Sequence, residues 1–123
     1  MLSSFDDWGI PTAVSIAEVC HTLPFVDVIA SGGIQNGQDI AKSIALGASA
    51  VGLAGYFLKI LDAFGIDRLI SEIKWLLDEL RIIMTALGRR TIPLLQKAPI
   101  VIRGNTHHWL TERGIKTEQF AQR

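Results

Sequence analysis

The chain is short of cysteine, of net charge and of long apolar runs, and each shortage removes a class of function. Cys20 is the single cysteine, so no internal disulfide can form and a reducing compartment fits. The 12 Lys and Arg balance 12 Asp and Glu with no basic run, which leaves no electrostatic footprint for nucleic acid. No apolar stretch approaches the roughly 20 residues of a membrane span. The first residues also lack a basic segment followed by an apolar one, so a secretory signal is not expected and a cytoplasmic location is. Catalytic spacings are missing as well. His107 and His108 are adjacent and point apart on any regular element, whereas a metal pair needs i,i+4 or i,i+2 spacing. No nucleophile stands beside a base, so no catalytic residue and no metal ligand is assigned.

What is present has a globular composition, 49% hydrophobic and 20% charged, organised around residues 28–42. Val28-Ile29-Ala30 is an apolar run of the kind buried on both faces of a strand, Gly32 and Gly33 follow, and helical spacing begins by Gln38. Adjacent glycines permit positive φ and let bare backbone approach a ligand. A helix starting next would aim its first free N–H groups at the same point, giving an anion site suited to a phosphate ester. Ile34 and Gln35 would add N–H groups from the helix start. A tight structural turn is the other reading of such a pair. A second small-residue strand, Ala50-Val51-Gly52-Leu53-Ala54, ends at Gly55. Strand, helix and strand at this spacing form a parallel βαβ unit, with both glycine-bearing ends at one carboxyl edge. In barrels of eight such units that edge is the usual phosphate site.

Elsewhere the spacing predicts a helix from Pro11 to about Thr22, halted by Pro24, and strands at 26–30 and 50–54. Helices are expected at 38–46, 56–64, 91–97 and, as a last turn, 108–112. The strongest periodicity is Leu69, Ile70, Ile73, Leu76, Leu77, Leu80, Ile83, Met84 and Leu87, with Glu72, Asp78 and Glu79 among the polar residues opposite. This long amphipathic helix should end at Gly88 and turn its stripe to a barrel core. Pro99 argues against a central strand at 98–102. Residues 114–123 read as a polar, mobile tail.

Ser31-Gly32-Gly33-Ile34, Gly37, Asp39, Ala41-Lys42, Ala45-Leu46-Gly47-Ala48 and Gly52 resemble the FMN-phosphate segment of several flavin-dependent TIM barrels. Glutamate synthases, hydroxy-acid oxidases and inosinate dehydrogenases look similar there. Asp7-Trp8-Gly9-Ile10-Pro11-Thr12-Ala13, and residues 80–88 with Met84 and Leu87, narrow the resemblance to type 2 isopentenyl diphosphate isomerase. It spans residues 5–109, leaves Met1-Leu2-Ser3-Ser4 unmatched, and corresponds to the carboxyl-terminal third of that enzyme. The implied fold is α/β: the last βα units of a (β/α)8 barrel, with parallel strands and a long carboxyl-terminal amphipathic helix, over residues 1–113. A whole barrel needs about 250 residues, so a fragment or truncated product is expected. The family interconverts isopentenyl and dimethylallyl diphosphate in isoprenoid biosynthesis, with reduced FMN as acid–base cofactor. NADPH and Mg²⁺ are implied too, with their residues outside this chain. The resemblance places FMN contacts at Ser31, Gly32, Gly33, Ile34, Gln35, Ala54 and Gly55. Many flavin barrels carry Arg after the glycines, and Gln35 cannot supply that charge-assisted bond. A homo-oligomer is expected, with neither nucleic acid nor membrane as partner.

Other polar and aromatic residues have plainer readings. His21 would be a solvated helix end, Asp6 and Asp7 would solvate a loop, and Lys42 would face solvent. Cys20 would be a core thiol, since no basic neighbour lowers its pKa. Trp8 and Trp109 are expected as packing anchors, and Trp75 as a contact to a subunit or to the rest of a barrel. The open alternatives are a different FMN barrel passing hydride, or a non-catalytic half-barrel module.

Overall fold

The computed structural model describes residues 2–123, so of the unmatched start only Met1 lies outside the described residues. A 3-10 turn (Leu2–Phe5) leads to α1 (Thr12–Thr22), β1 (Ile29–Ser31), α2 (Gly37–Ala45), β2 (Ala50–Gly52), α3 (Ala54–Phe64) and α4 (Ile66–Ala86). Then come α5 (Ile92–Gln96), α6 (Gly104–Glu112) and α7 (Glu118–Ala121). β1 and β2 pair in parallel, with Ile29 opposite Ala50, Ala30 opposite Val51 and Ser31 opposite Gly52. Parallel strands require a crossover, and α2 provides it.

Both strands are shorter than expected, for local reasons. The Val26 N–H bonds back to the Leu23 carbonyl in a turn, which holds residue 26 out of the strand. At the far end Leu53 is already the N-cap of α3. Burial on both faces is not observed either. Ala30 is buried against the helices, whereas Ile29 is 71% exposed. In-register partners share a face, so Ile29, Ser31, Ala50 and Gly52 form one open side, the side that would look into a barrel.

One core cluster joins α1, β1, α2, α4, α5 and α6, with Val14, Leu95 and Leu110 its largest fully buried side chains. α4 packs on α2 and α3, but its stripe is less covered than its periodicity suggests. Only Leu76 of the apolar set is buried, and Ile70, Leu77 and Leu87 remain largely exposed. Glu72, expected on the solvent face, is buried instead because it accepts the Tyr56 hydroxyl from α3. Trp8 is 81% exposed and anchors nothing. Trp109 is partly buried against the core and donates its Nε1 to Glu18 Oε1 at 3.1 Å.

The expected mobile tail is packed. Ile115, Thr117 and Phe120 are buried, and the Ile100 N–H donates to the Phe120 carbonyl at 2.8 Å. Arg123 donates to the carbonyls of Ala45 (2.8 Å) and Gln96, and its guanidinium lies 4.4 Å from the Phe120 ring centroid. Composition concealed this because only two large apolar residues, spaced five apart, carry the docking. No helix among the described residues is long and apolar enough to cross a membrane.

Candidate functional site

β1 and β2 run parallel, so their carboxyl ends open on the same side, and a cleft of about 310 Å³ lies there. Ser31, Gly32, Gly33, Ile34, Gln35, Ala54 and Gly55 all line it. Gly32 and Gly33 take φ of +110° and +71°, conformations that side chains rarely adopt. They turn the chain out of β1 and lay its backbone along the cleft wall. Nothing stands within 4 Å of where a Cβ would project at Gly33 or Gly55, so a ligand can reach bare backbone from both sides.

Thr12 holds the turn in place. Its Oγ1 donates to the Gly32 carbonyl at 2.9 Å, and a Cβ on Gly32 would lie 2.8 Å from that same oxygen. The stretch around Pro11 and Thr12 therefore acts on the cleft from behind, by locking the loop.

The helix that offers free amides is not the one expected. α2 has two of its first-turn donors engaged: the Gly37 N–H goes to Glu79 Oε2 and the Asp39 N–H to Asn36 Oδ1 at 2.8 Å, while just before the helix the Gln35 N–H donates to Asp39 Oδ2 at 3.4 Å. α3 differs. Leu53 gives it no side-chain cap, and its first internal bond is from the Phe57 N–H to the Leu53 carbonyl. The N–H groups of Ala54, Gly55 and Tyr56 precede that bond and sit in the cleft lining, at the positive end of an 11-residue helix.

Gly52, already part of the segment resembling FMN-phosphate sites, also lines the cleft, as do Leu53, Tyr56 and Lys59, which the sequence pattern does not single out. The start of α3 at Ala54 is what brings Tyr56 and Lys59 to the cleft. The Tyr56 hydroxyl donates to Glu72 Oε1 at 2.5 Å, and Glu72 Oε2 lies 3.6 Å from Arg68. That bond to a carboxylate, then burial, holds the Tyr56 phenol above its ordinary range. Cys20 lies away from the cleft, half-buried against Gly47, and burial raises its thiol pKa, which suits a packing role. His107 Nδ1 pairs with Thr117 Oγ1 at 2.8 Å, which gives that ring a structural partner.

A phosphate ester fits this arrangement. The donors are backbone N–H groups, the walls carry no carboxylate, and glycine keeps the approach open. Residues Ser31–Ile34 would hold the group from one strand end and Ala54 with Gly55 from the other; Gln35, expected as a further contact, lines the cleft but its N–H is engaged by Asp39 Oδ2.

Comparison with known proteins agrees with the architecture. The isopentenyl-diphosphate delta-isomerase of Geobacillus sp. (strain WCH70) is 53% identical over 123 residues, covering 100% of this chain and 35% of that protein. The enzyme of the same name from Bacillus licheniformis is 55% identical over 119 residues, covering 97% of this chain and 34% of that protein. The chain thus spans about a third of the length of these curated relatives. Among solved structures, mandelate oxidase with benzoyl-formic acid superposes with a TM-score of 0.69 at 28% identity, over 73% of this chain and 27% of the other. A flavocytochrome b2 variant with benzoylformate gives 0.64 at 22% identity, over 89% of this chain and 31% of the other, a likeness of fold. These are FMN-dependent TIM-barrel enzymes, and the two parallel βα units here are part of such a barrel. Residues 7–102 match the FMN-dependent dehydrogenase family, and the chain belongs to it.

Proposed function

We propose that this chain is the FMN-phosphate-binding part, the carboxyl-terminal third, of a type 2 isopentenyl-diphosphate delta-isomerase. One observation carries the reading. Two glycine-lined strand ends and the open end of α3 meet in a single cleft, in a chain 53% identical along its whole length to an isomerase of that name. When bound, reduced FMN supplies acid–base chemistry for the allylic double-bond shift between isopentenyl and dimethylallyl diphosphate, with NADPH as its reductant and Mg²⁺ at the substrate diphosphate. The residues here bind and orient. The Gly32–Gly33 turn and the α3 amides fix the phosphate end of the cofactor, and Thr12 keeps the turn from shifting. No residue of this chain is assigned to NADPH, to Mg²⁺ or to the reacting carbons, so the chain alone should not isomerise substrate. In the assembled enzyme, a homo-oligomer of the cytoplasm, it closes the barrel.

Titration with FMN, followed by flavin fluorescence, tests the reading. Saturable binding is expected, with loss of at least about tenfold in affinity for Gly33→Asp, which sets a like charge against the phosphate. A folded chain that binds no FMN, or binds it equally well with Asp at 33, would sink the proposal.

A second reading, an oxidoreductase passing hydride through FMN, draws on the 28% identity to mandelate oxidase. The identity to isomerases is nearly twice as high and extends over the whole chain. A non-catalytic half-barrel module is the third, and the open sheet face is what favours it.

A further inference from the structure

We propose that Lys59 is the cationic contact for the phosphate in this cleft. The inference rests on the phosphate reading above. Among the described residues Lys59 is the only charged side chain in the cleft lining. Without it, a phosphate monoester carrying about −1.5 to −2 at neutral pH would meet only neutral backbone dipoles and one helix end worth about half a charge.

The helix geometry gives Lys59 the reach. Side chains on an α-helix lean toward its amino terminus, so a residue at 59 lies over the turn formed by Gly55 and Tyr56. Gly55 has no side chain, and no atom stands within 4 Å of its Cβ direction, which leaves a clear lane for the lysine stem. Tyr56, the other neighbour on that turn, is drawn aside by its hydrogen bond to Glu72. Glu72 in turn is engaged by Tyr56 and Arg68, and Lys59 makes no ion pair among the described residues. Its ammonium is thus uncommitted, on a residue that lines the same cleft as Ala54, Gly55 and Tyr56. A point charge on a flexible stem suits a phosphate.

The test is FMN and riboflavin titration of the full chain, wild type against Lys59→Gln and Lys59→Arg, with unfolding midpoints as a control on folding. Riboflavin lacks the phosphate. Wild type should bind FMN more tightly than riboflavin. Lys59→Gln should weaken FMN about tenfold, leave riboflavin unchanged and reduce the salt dependence of FMN binding, while Lys59→Arg keeps most of the affinity. Unaltered FMN affinity in Lys59→Gln, with the preference over riboflavin intact, overturns the role of Lys59 and leaves the phosphate site standing. If wild type shows no preference for FMN over riboflavin, the phosphate site itself fails and the role of Lys59 with it.

Discussion

At position 37 a single methyl group would do harm. Alanine is favoured over glycine within a helix by about 0.5–1 kcal/mol, and Gly37 opens α2 without a positive φ. A Cβ there would lie 2.7 Å from Glu79 Oε2, 2.9 Å from its Cγ and 3.0 Å from its Cβ. The stem of Glu79 is in the way as well as its tip, so the side chain cannot simply swing aside. Moving it breaks the bond from the Gly37 N–H, and a hydrogen bond to a charged group is worth about 1.5–3 kcal/mol. Gly37→Ala should therefore destabilise the chain by about 1–2 kcal/mol, read as a lower urea midpoint with an unchanged slope. Pairing it with Glu79→Ala should recover part of that loss, since the two sites share one contact. The Gly32–Gly33 turn was legible because its evidence is consecutive in the sequence. The Gly37–Glu79 contact joins residues 42 apart, and no local pattern announces it.

At the scale of elements, α3 and α4 are joined by the bond from Tyr56 to Glu72. The phenol is held above its ordinary value of 10.0, first by the hydrogen bond to Glu72 and then by burial. A group whose folded pKa is raised keeps its full stabilising contribution below the unfolded pKa and loses it as pH rises through the folded one. The bond should thus be intact at pH 8 and fail in strongly alkaline solution. Wild type should exceed Tyr56→Phe in urea midpoint at pH 8, and the gap should close above the ordinary phenol value. A gap of constant size across that range would show that the hydroxyl contributes nothing through its ionisation. Periodicity located α4 to within about a turn, because a long repeat averages out local ambiguity. It did not tell which polar residue would be enclosed: Glu72 is buried by a partner sixteen residues away on another helix. The same limit hid which helix end keeps its amides open: one of the groups that engage the start of α2 comes from α4.

For the molecule as a whole, the consequential feature is the uncovered side of the two-stranded sheet. The family resemblance announced a partial barrel, and the burial on both faces that the apolar run at 28–30 suggested holds only on the helix side, where Ala30 is enclosed. Ile29 is 71% exposed on that side, and Phe25 and Val26 just before it are also solvent-facing. β1 and β2 each pair on one edge only, so the outer edges carry unpaired backbone groups beside an apolar face. A surface of that kind lowers its free energy by contact with another copy, burying about 25 cal/mol of stabilisation per Å² of apolar area. Sedimentation velocity should accordingly show mass rising with concentration through the micromolar range. Ile29→Lys should shift the chain toward monomer and, at dilutions where the wild type is itself monomeric, leave the unfolding midpoint unchanged, since the side chain it removes supports no internal packing. A wild-type chain that stays monomeric over that range would mean the open face is not adhesive. Should Ile29→Lys instead lower the midpoint at those dilutions while leaving the association at higher concentration intact, Ile29 would be part of the core and the adhesive surface would lie elsewhere.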